Sequence, residues 1–141
     1  MLYQYKTLEG DVYGESTGTY VAADGTCTYL KRSDFEIETL ATWKSINTAA
    51  TYPTRWQVAV PSLEIDVTVK SMIDDQELDT RGTTMIVYWE GACSVAGTKS
   101  GNDLTGRAYV ELVGYDRSHE TVGIGDFFFG KAVKQLSEMF A

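Results

Sequence analysis

The stretch LEIDVTVK at residues 63–70 alternates strictly between apolar and polar side chains. Leucine, isoleucine and two valines take the odd positions, whereas two acids, a threonine and a lysine take the even ones. Successive side chains of a β-strand point to opposite faces of the sheet. This period of two therefore predicts a strand with one buried face and one solvated face.

Similar runs follow one another along most of the chain, separated by short clusters of glycine, asparagine and aspartate. The predicted strand regions are 3–10, 18–32, 34–43, 55–60, 63–70, 84–97 and 103–115. The region 18–32 is expected to be a hairpin that turns at Asp24-Gly25. The last two regions are joined by a glycine-rich loop and are predicted to be antiparallel neighbours. Many short strands of this kind predict a mostly β fold, either a sandwich or an antiparallel β-barrel, and a barrel leaves no exposed edges.

Only the end of the chain has a helical pattern. Four apolar residues recur there at spacings of three and four: Phe128, Ala132, Leu136 and Met139. Asp126 is suited to cap the first turn, so we predict a C-terminal α-helix at about 126–140. The length of 141 residues predicts a single domain, with the barrel at about 3–115.

The alternation places two kinds of side chain on opposite faces of the predicted sheet. One face is apolar: Trp56, Val58, Met85, Trp89, Ala108 and Val110. Its tryptophans either fill a packed core or line a lumen that holds one lipophilic ligand.

The other face mixes acids, arginines and tyrosines: Arg55, Gln57, Tyr88, Glu90, Arg107, Tyr109 and Glu111. Acids and arginines on one sheet face can pair across strands. One interpretation is an exterior belt of ion pairs. The other is the wall of a polar cavity or a subunit contact, where Glu90 or Glu111 would act as an acid.

The formal net charge of −8 excludes some classes of partner. Nucleic acid phosphates would be repelled, and anionic membrane surfaces recruit basic segments, so we expect no nucleic acid partner. No run approaches the roughly 18 apolar residues of a membrane-spanning helix, so no membrane span is expected.

The amino-terminal residues lack the basic start and apolar run of a signal peptide, which predicts a cytoplasmic protein. Cys27 and Cys93 are then expected to be free thiols that fill space in strands, with a disulfide between them as the alternative. No ligand spacing or phosphate-binding motif is present, so we expect no metal and no cofactor. The single histidine, His119, is either an exposed loop residue or, with Asp116 nearby, a proton relay.

An ordered series of short motifs resembles the C-terminal lipocalin-like domain of the carotenoid 1,2-hydratase (hydroxyneurosporene synthase) and AttH-like superfamily. The motifs are TWKSINTAATYP (42–53), the YPTRWQVAVPSLEIDVTV stretch, DQEL (75–78), YWEGACSVAGTKSG (88–101) and GRAYVELVGY (106–115). The resemblance covers about residues 12–116. It implies a lipocalin-like antiparallel barrel and lipophilic ligands such as isoprenoid or polyketide-like molecules.

Members of that superfamily usually carry two lipocalin-like domains, whereas this chain carries one. The resemblance therefore implies that two copies pair as a homodimer through one self-complementary patch. The superfamily's motif positions correspond here to Trp56, Gln76, Glu77, Tyr88, Trp89, Glu90, Tyr109, Glu111 and Tyr115.

Three functional hypotheses follow. The first is binding of a small lipophilic molecule in the barrel, by Trp56, Met85, Trp89, Tyr88, Tyr109 and Tyr115. The second is a hydratase or isomerase that protonates a lipophilic alkene, with Glu90, Glu77 and Glu111 as candidate general acids. The third is a structural or protein-interaction module whose barrel is filled by side chains.

Overall fold

The computed structural model describes residues 1–7 and 9–116, which form antiparallel strands. The strands are β1 (Leu2–Tyr3), β2 (Thr17–Val21), β3 (Cys27–Lys31), β4 (Glu36–Lys44), β5 (Thr51–Val60), β6 (Ile65–Ser71), β7 (Glu77–Asp79), β8 (Val87–Lys99) and β9 (Asn102–Val113). Two single-turn 3₁₀ helices, Arg32–Asp34 and Pro61–Leu63, lie before β4 and β6. The prediction of a mostly β antiparallel fold is confirmed, and the predicted helix at 126–140 lies outside the described residues.

The larger sheet is organised around β8. Strand β9 pairs along nearly all of β8, from Lys99↔Asn102 to Tyr88↔Val113. The opposite edge of β8 is shared, because β6 pairs with residues 93–99 and β7 with residues 87–89. Strands β5 and β4 continue the sheet beyond β6.

The β8–β9 hairpin confirms the predicted antiparallel pair, although its turn is tighter than the predicted loop. Only Ser100 and Gly101 separate the strands, and both have positive φ, 49° and 75°. Two consecutive residues of this kind form the turn that suits the twist of a two-residue hairpin.

A smaller sheet of β1, β2 and β3 packs at one end. Its β2–β3 hairpin turns through Asp24 and Gly25, as predicted, and the Thr26 N–H donates to the Asp24 carboxylate at 2.9 Å. Leu30, Phe35 and Val60 form the core beneath this hairpin. Among the described residues of the predicted strand at 3–10, only Tyr3 belongs to an observed strand, β1.

The main core lies on the apolar face of the larger sheet and confirms the predicted alternation. Trp89 and Cys93 on β8 are fully buried, and Val67 and Val69 on β6 are nearly so. Cys27 and Cys93 are both free thiols. Cys93 fills the core as predicted, whereas Cys27 is exposed at the start of β3, where Leu30 is the residue that faces inward.

The prediction of a closed barrel is wrong for the described part of the chain. Strands β4 and β9 are the outer long strands of the larger sheet, β7 forms a further short edge, and no pairing joins β4 to β9 in the described residues. Closure requires the first and last strands to meet with a fixed stagger. Alternation reports which face of a strand is buried and carries no information on whether the edges meet.

No helix in residues 1–7 and 9–116 has the length and apolar character needed to cross a bilayer.

The segment before β7 is tied to β8 by hydrogen bonds from two residues of the motif YWEG and by the Gln76 side chain. The Trp89 indole N–H donates to the Asp74 carbonyl at 2.7 Å, and the Glu90 N–H donates to the Gln76 carbonyl at 3.1 Å. The Gln76 amide lies directly over Gly91, where a Cβ would overlap it. Glycine at position 91 therefore provides the space for the Gln76 side chain.

We expect Gly91→Ala to lower the free energy of unfolding by about 1 kcal/mol, because the added methyl group displaces the amide at the flexible end of the Gln76 side chain. Urea denaturation measures this change. Gly106→Ala on β9 is the matched control, since nothing lies within 4 Å of a Cβ there, and its effect should stay within about 0.5 kcal/mol.

Shortening the displaced side chain tests the cause. In a Gln76→Ala background, Gly91→Ala should cost much less than in the wild-type protein. Equal costs of Gly91→Ala and Gly106→Ala would contradict the proposed contact.

Candidate functional site

A buried polar cluster forms where the β4–β5 loop meets the start of β7. Both oxygens of the Glu77 carboxylate accept hydroxyl hydrogen bonds, from Ser45 Oγ at 2.7 Å and from Thr48 Oγ1 at 2.6 Å. Ser45 and Thr48 are themselves buried. Glu77 therefore connects two segments that lie about 30 residues apart in sequence.

The loop's own backbone sets the direction of these hydrogen bonds. Ser45 Oγ accepts the N–H groups of Asn47 and Thr48 at 3.0 and 3.2 Å, and Thr48 Oγ1 accepts the Ala50 N–H at 3.2 Å. Each hydroxyl has one proton to donate, and in this arrangement that proton goes to Glu77.

Tyr52 lies beside this cluster and is 0% exposed. Its ring stacks on Trp43, with centroids 6.3 Å apart, and contacts the ring of Tyr115 at 5.5 Å. Its hydroxyl neighbours Glu77 and Thr48, and no described group meets it at ideal hydrogen-bond length and angle. Burial, and next the neighbouring Glu77 carboxylate, raise the pKa of Tyr52, so this hydroxyl stays protonated at physiological pH.

A cleft of about 870 Å³ opens next to the cluster, between the amino-terminal segment and the β4–β5 hairpin. Its wall consists of Gln4, Lys6, Thr7, Glu9, Gly10, Thr42, Thr48, Ala49, Ala50, Thr51, Pro53, Gly114 and Tyr115. Thr48 and Tyr115 are thus both wall residues of the cleft and neighbours of Tyr52. A volume of this size lies within the range of small-molecule sites.

Among the predicted ligand-binding residues, the two tryptophans lie in the core. Trp56 and Trp89 contact each other edge to face, with ring centroids 6.0 Å apart, and are 6% and 0% exposed. Met85 is 66% exposed and precedes β8, which begins at Val87, so its predicted place on the apolar face is wrong. A positive φ of 63° at Met85 interrupts the extended backbone there.

The remaining predicted residues of β8 and β9 lie on the opposite face. Glu90 and Glu111 stand directly opposite each other, and Tyr109 is 68% exposed beside them. Partial desolvation and the nearby Glu90 carboxylate raise the pKa of Tyr109.

The ion-pair belt considered for this face is not observed in the described residues. Arg107 stands opposite Ser94, and the strand register places Glu90 opposite Glu111 instead. The ion pairs of the described chain join Arg81 to Asp79 at 2.6 Å and to Asp116 at 3.8 Å.

Only Glu77 and Tyr115 of the predicted site residues lie at the cleft or its polar cluster. Ser45, Thr48 and Tyr52 were missed as functional residues, although all three lie within the motif at 42–53. The alternation of β5 could have identified Tyr52 as an inward-facing residue. Counting back from the buried Trp56 in steps of two reaches Tyr52, which is also buried. The cleft and cluster hold no group of three described His, Cys, Asp or Glu side chains that could bind a metal.

Comparisons with known proteins agree with this fold. The model of the AttH-like family matches residues 1–115. The crystal structure of an AttH protein from Nitrosomonas europaea is similar, with a TM-score of 0.70 and 31% identity over 81% of this chain. Kievitone hydratase from Nectria haematococca shares the fold at a TM-score of 0.63 and 20% identity over 79% of this chain.

The chain spans a third of the length of both solved structures, 33% in each case. No curated protein matches it. The predicted resemblance is confirmed for the AttH-like family, whereas its carotenoid hydratase part stays a prediction. Since the family model covers residues 1–115, nearly all of the described chain, this protein belongs to the AttH-like family.

Proposed function

We propose that this chain binds a small lipophilic molecule in the cleft between the amino-terminal segment and the β4–β5 hairpin. The observation that carries the proposal is the 870 Å³ cleft, whose wall combines apolar contacts with the edge of a buried polar cluster. Ala50, Pro53 and Tyr115 supply apolar surface, and Thr48 supplies a hydroxyl. Mostly apolar walls with a few placed polar groups are typical of ligand sites.

The proposed ligand site is not the tryptophan-lined lumen that the sequence analysis considered. Trp56 and Trp89 already contact each other in the core, which supports a packing role for both. Their predicted contact with a ligand stays a prediction, as do the ligand contacts of Met85, Tyr88 and Tyr109.

The test uses the apolar dye 1-anilinonaphthalene-8-sulfonate. We expect Tyr115→Ala to weaken dye binding about tenfold, because an aromatic wall is lost. Thr51→Trp should weaken it as well, since it adds an indole to the cleft wall at an exposed position. Dye fluorescence titration measures both affinities.

Tyr109→Ala is the matched control, because this tyrosine lies on the opposite face of the sheet, outside the cleft. Weaker binding in Tyr109→Ala with unchanged binding in Tyr115→Ala would place the site on that face and contradict the proposal. A wild-type protein that binds no dye would favour the third hypothesis, a structural module with a filled interior.

A second candidate function is hydration of a lipophilic alkene, and the Glu77 cluster is the observation that favours it. Glu77 is the only one of the three candidate acids that lies beside the cleft, since Glu90 and Glu111 occupy the outer face of β8 and β9. Hydration adds a proton to one alkene carbon and water to the other, and the water then releases a proton. A kievitone hydratase with the same fold supports this class of reaction.

We expect any hydration of kievitone to fall at least about 100-fold in Glu77→Gln, because an acid–base group is lost. Mass spectrometry detects the added water. Glu90→Gln is the matched control and should retain the wild-type rate. Activity that survives Glu77→Gln would remove Glu77 from the mechanism.

We propose further that this domain pairs as a homodimer. The two similar solved structures are about three times as long as the part of them that this chain matches. This difference in length supports a requirement for a second domain. Edge strands β4 and β9 offer surfaces on which a second copy can extend the sheet.

Size-exclusion chromatography with light scattering tests the pairing. We expect twice the chain mass at micromolar concentration, because an isologous contact buries the same patch on both copies. A monomer under these conditions would contradict it.

A further inference from the structure

Strand β9 has a long edge that no described strand covers. On one side it pairs with β8 from Asn102 to Val113, without a register shift. On the other side, no strand in the described part of the chain pairs with it. A regular, uncovered edge is a template on which another strand can add.

The other edges of the larger sheet are less suited to pairing. Strand β4 contains register shifts between Thr39 and Thr42, and bulges of this kind twist an edge away from a partner. Strand β7 has only three residues. Among the described strands of this sheet, β9 is therefore the edge on which a further strand fits best.

The turn before β9 determines which of its backbone groups point outward. A two-residue turn closes with a hydrogen-bonded pair, which here is Lys99 and Asn102. Hydrogen-bonded and non-hydrogen-bonded pairs then alternate along an antiparallel ladder. The even-numbered residues of β9 thus bond to β8, whereas the odd-numbered residues from Asp103 to Val113 direct their N–H and C=O groups to the open edge. The side chains of these odd-numbered residues are all exposed.

Two charged side chains of this exposed set face no opposite charge across the sheet. Glu111 stands opposite Glu90 on β8, and like charges in this position destabilise a sheet. Arg107 stands opposite Ser94, and the ion pairs of the described residues involve Arg81 instead. Strand β9 therefore presents a base and an acid, four residues apart, that both lack a complementary charge within the sheet.

A second copy of β9 supplies both missing charges in a single register. When two copies pair antiparallel about a two-fold axis at Tyr109, residues equally distant from position 109 face each other. Arg107 then stands opposite Glu111 of the second copy, and the symmetry forms this pair twice. Tyr109 stands opposite Tyr109 of the second copy, and aromatic pairs across strands add stability. The facing residues are all odd-numbered, so their outward N–H and C=O groups can bond to each other.

We propose that the homodimer forms by antiparallel pairing of β9 with β9 of a second copy, centred on Tyr109, with Arg107 and Glu111 as two symmetric ion pairs. This inference rests on the proposed homodimer and adds the strand, the register and the side chains of the contact. The pairing joins two six-stranded sheets and covers the open edge of β9 in both copies.

Charge reversal tests the register, with the dimer dissociation constant measured by analytical ultracentrifugation. We expect Arg107→Glu to weaken the dimer about tenfold or more, because an acid then faces an acid at two places. Glu111→Arg should weaken it by a similar factor. The double variant should restore most of the affinity, since both pairs are then reversed. Arg55→Glu is the matched control: it makes the same charge change at an exposed position of the inner strand β5 and should change the constant less than about twofold.

Glu111→Arg also separates loss of the contact from loss of the fold. Within one chain it replaces two facing acids by an acid and a base, which favours the sheet. Its far-UV circular dichroism should therefore match that of the wild-type protein while the dimer is weakened.

Amide hydrogen exchange measured by NMR tests the backbone contact. The N–H groups of Arg107, Tyr109 and Glu111 should exchange slowly in the dimer and faster after dilution to the monomer, because the second strand protects them only while it is bound. Slow exchange of these groups in a monomer would show that another segment of the same chain covers the edge, and would overturn the proposal.

The possible failures are distinguishable. If the protein is a dimer and neither Arg107→Glu nor Glu111→Arg changes its dissociation constant, the β9 contact is wrong and the homodimer stands. If the wild-type protein is a monomer at every concentration, the homodimer fails and the β9 contact fails with it.

Discussion

The attachment of residues 74–77 to strand β8 is the constraint on which the candidate site depends. The indole N–H of Trp89 donates to the Asp74 carbonyl, and the Gln76 side chain lies over Gly91. These contacts bring Glu77 into register with Trp89 at the start of β7. Glu77 then holds the β4–β5 loop through Ser45 and Thr48, so a core tryptophan and a loop are linked through one carboxylate.

The partly buried carboxylate of Glu77 is compatible with folding because the loop supplies its donors. Removing a carboxylate from water is unfavourable unless hydrogen bonds replace the lost hydration. Two hydroxyl groups do so here, and backbone N–H groups hold each of those hydroxyls in a donating orientation. The buried Tyr52 hydroxyl lies beside the same carboxylate, and burial together with Glu77 raises the pKa of Tyr52.

Much of the fold was predictable from alternation alone. The buried faces of β6, β8 and β9 and the hairpins at 18–32 and 84–115 follow from a period of two, because one face of each strand packs on the core. Sheet closure was not predictable, since it depends on whether β4 and β9 meet. The exposure of Met85 was missed because the strand was assumed to begin before the positive φ at that residue.

The candidate site was harder to predict, and β8 shows why. The consecutive residues Trp89, Glu90 and Gly91 point alternately to the core, to the outer face and back to the inner side beneath Gln76. A run of neighbouring residues in a strand therefore cannot all line one site. The site forms instead where the loop at 45–50, the start of β7 and Tyr115 meet, and hydrogen bonds between distant segments define it. Those contacts depend on sheet register, so a family motif identifies positions that matter without separating the residues that build the sheet from the residues that face a ligand.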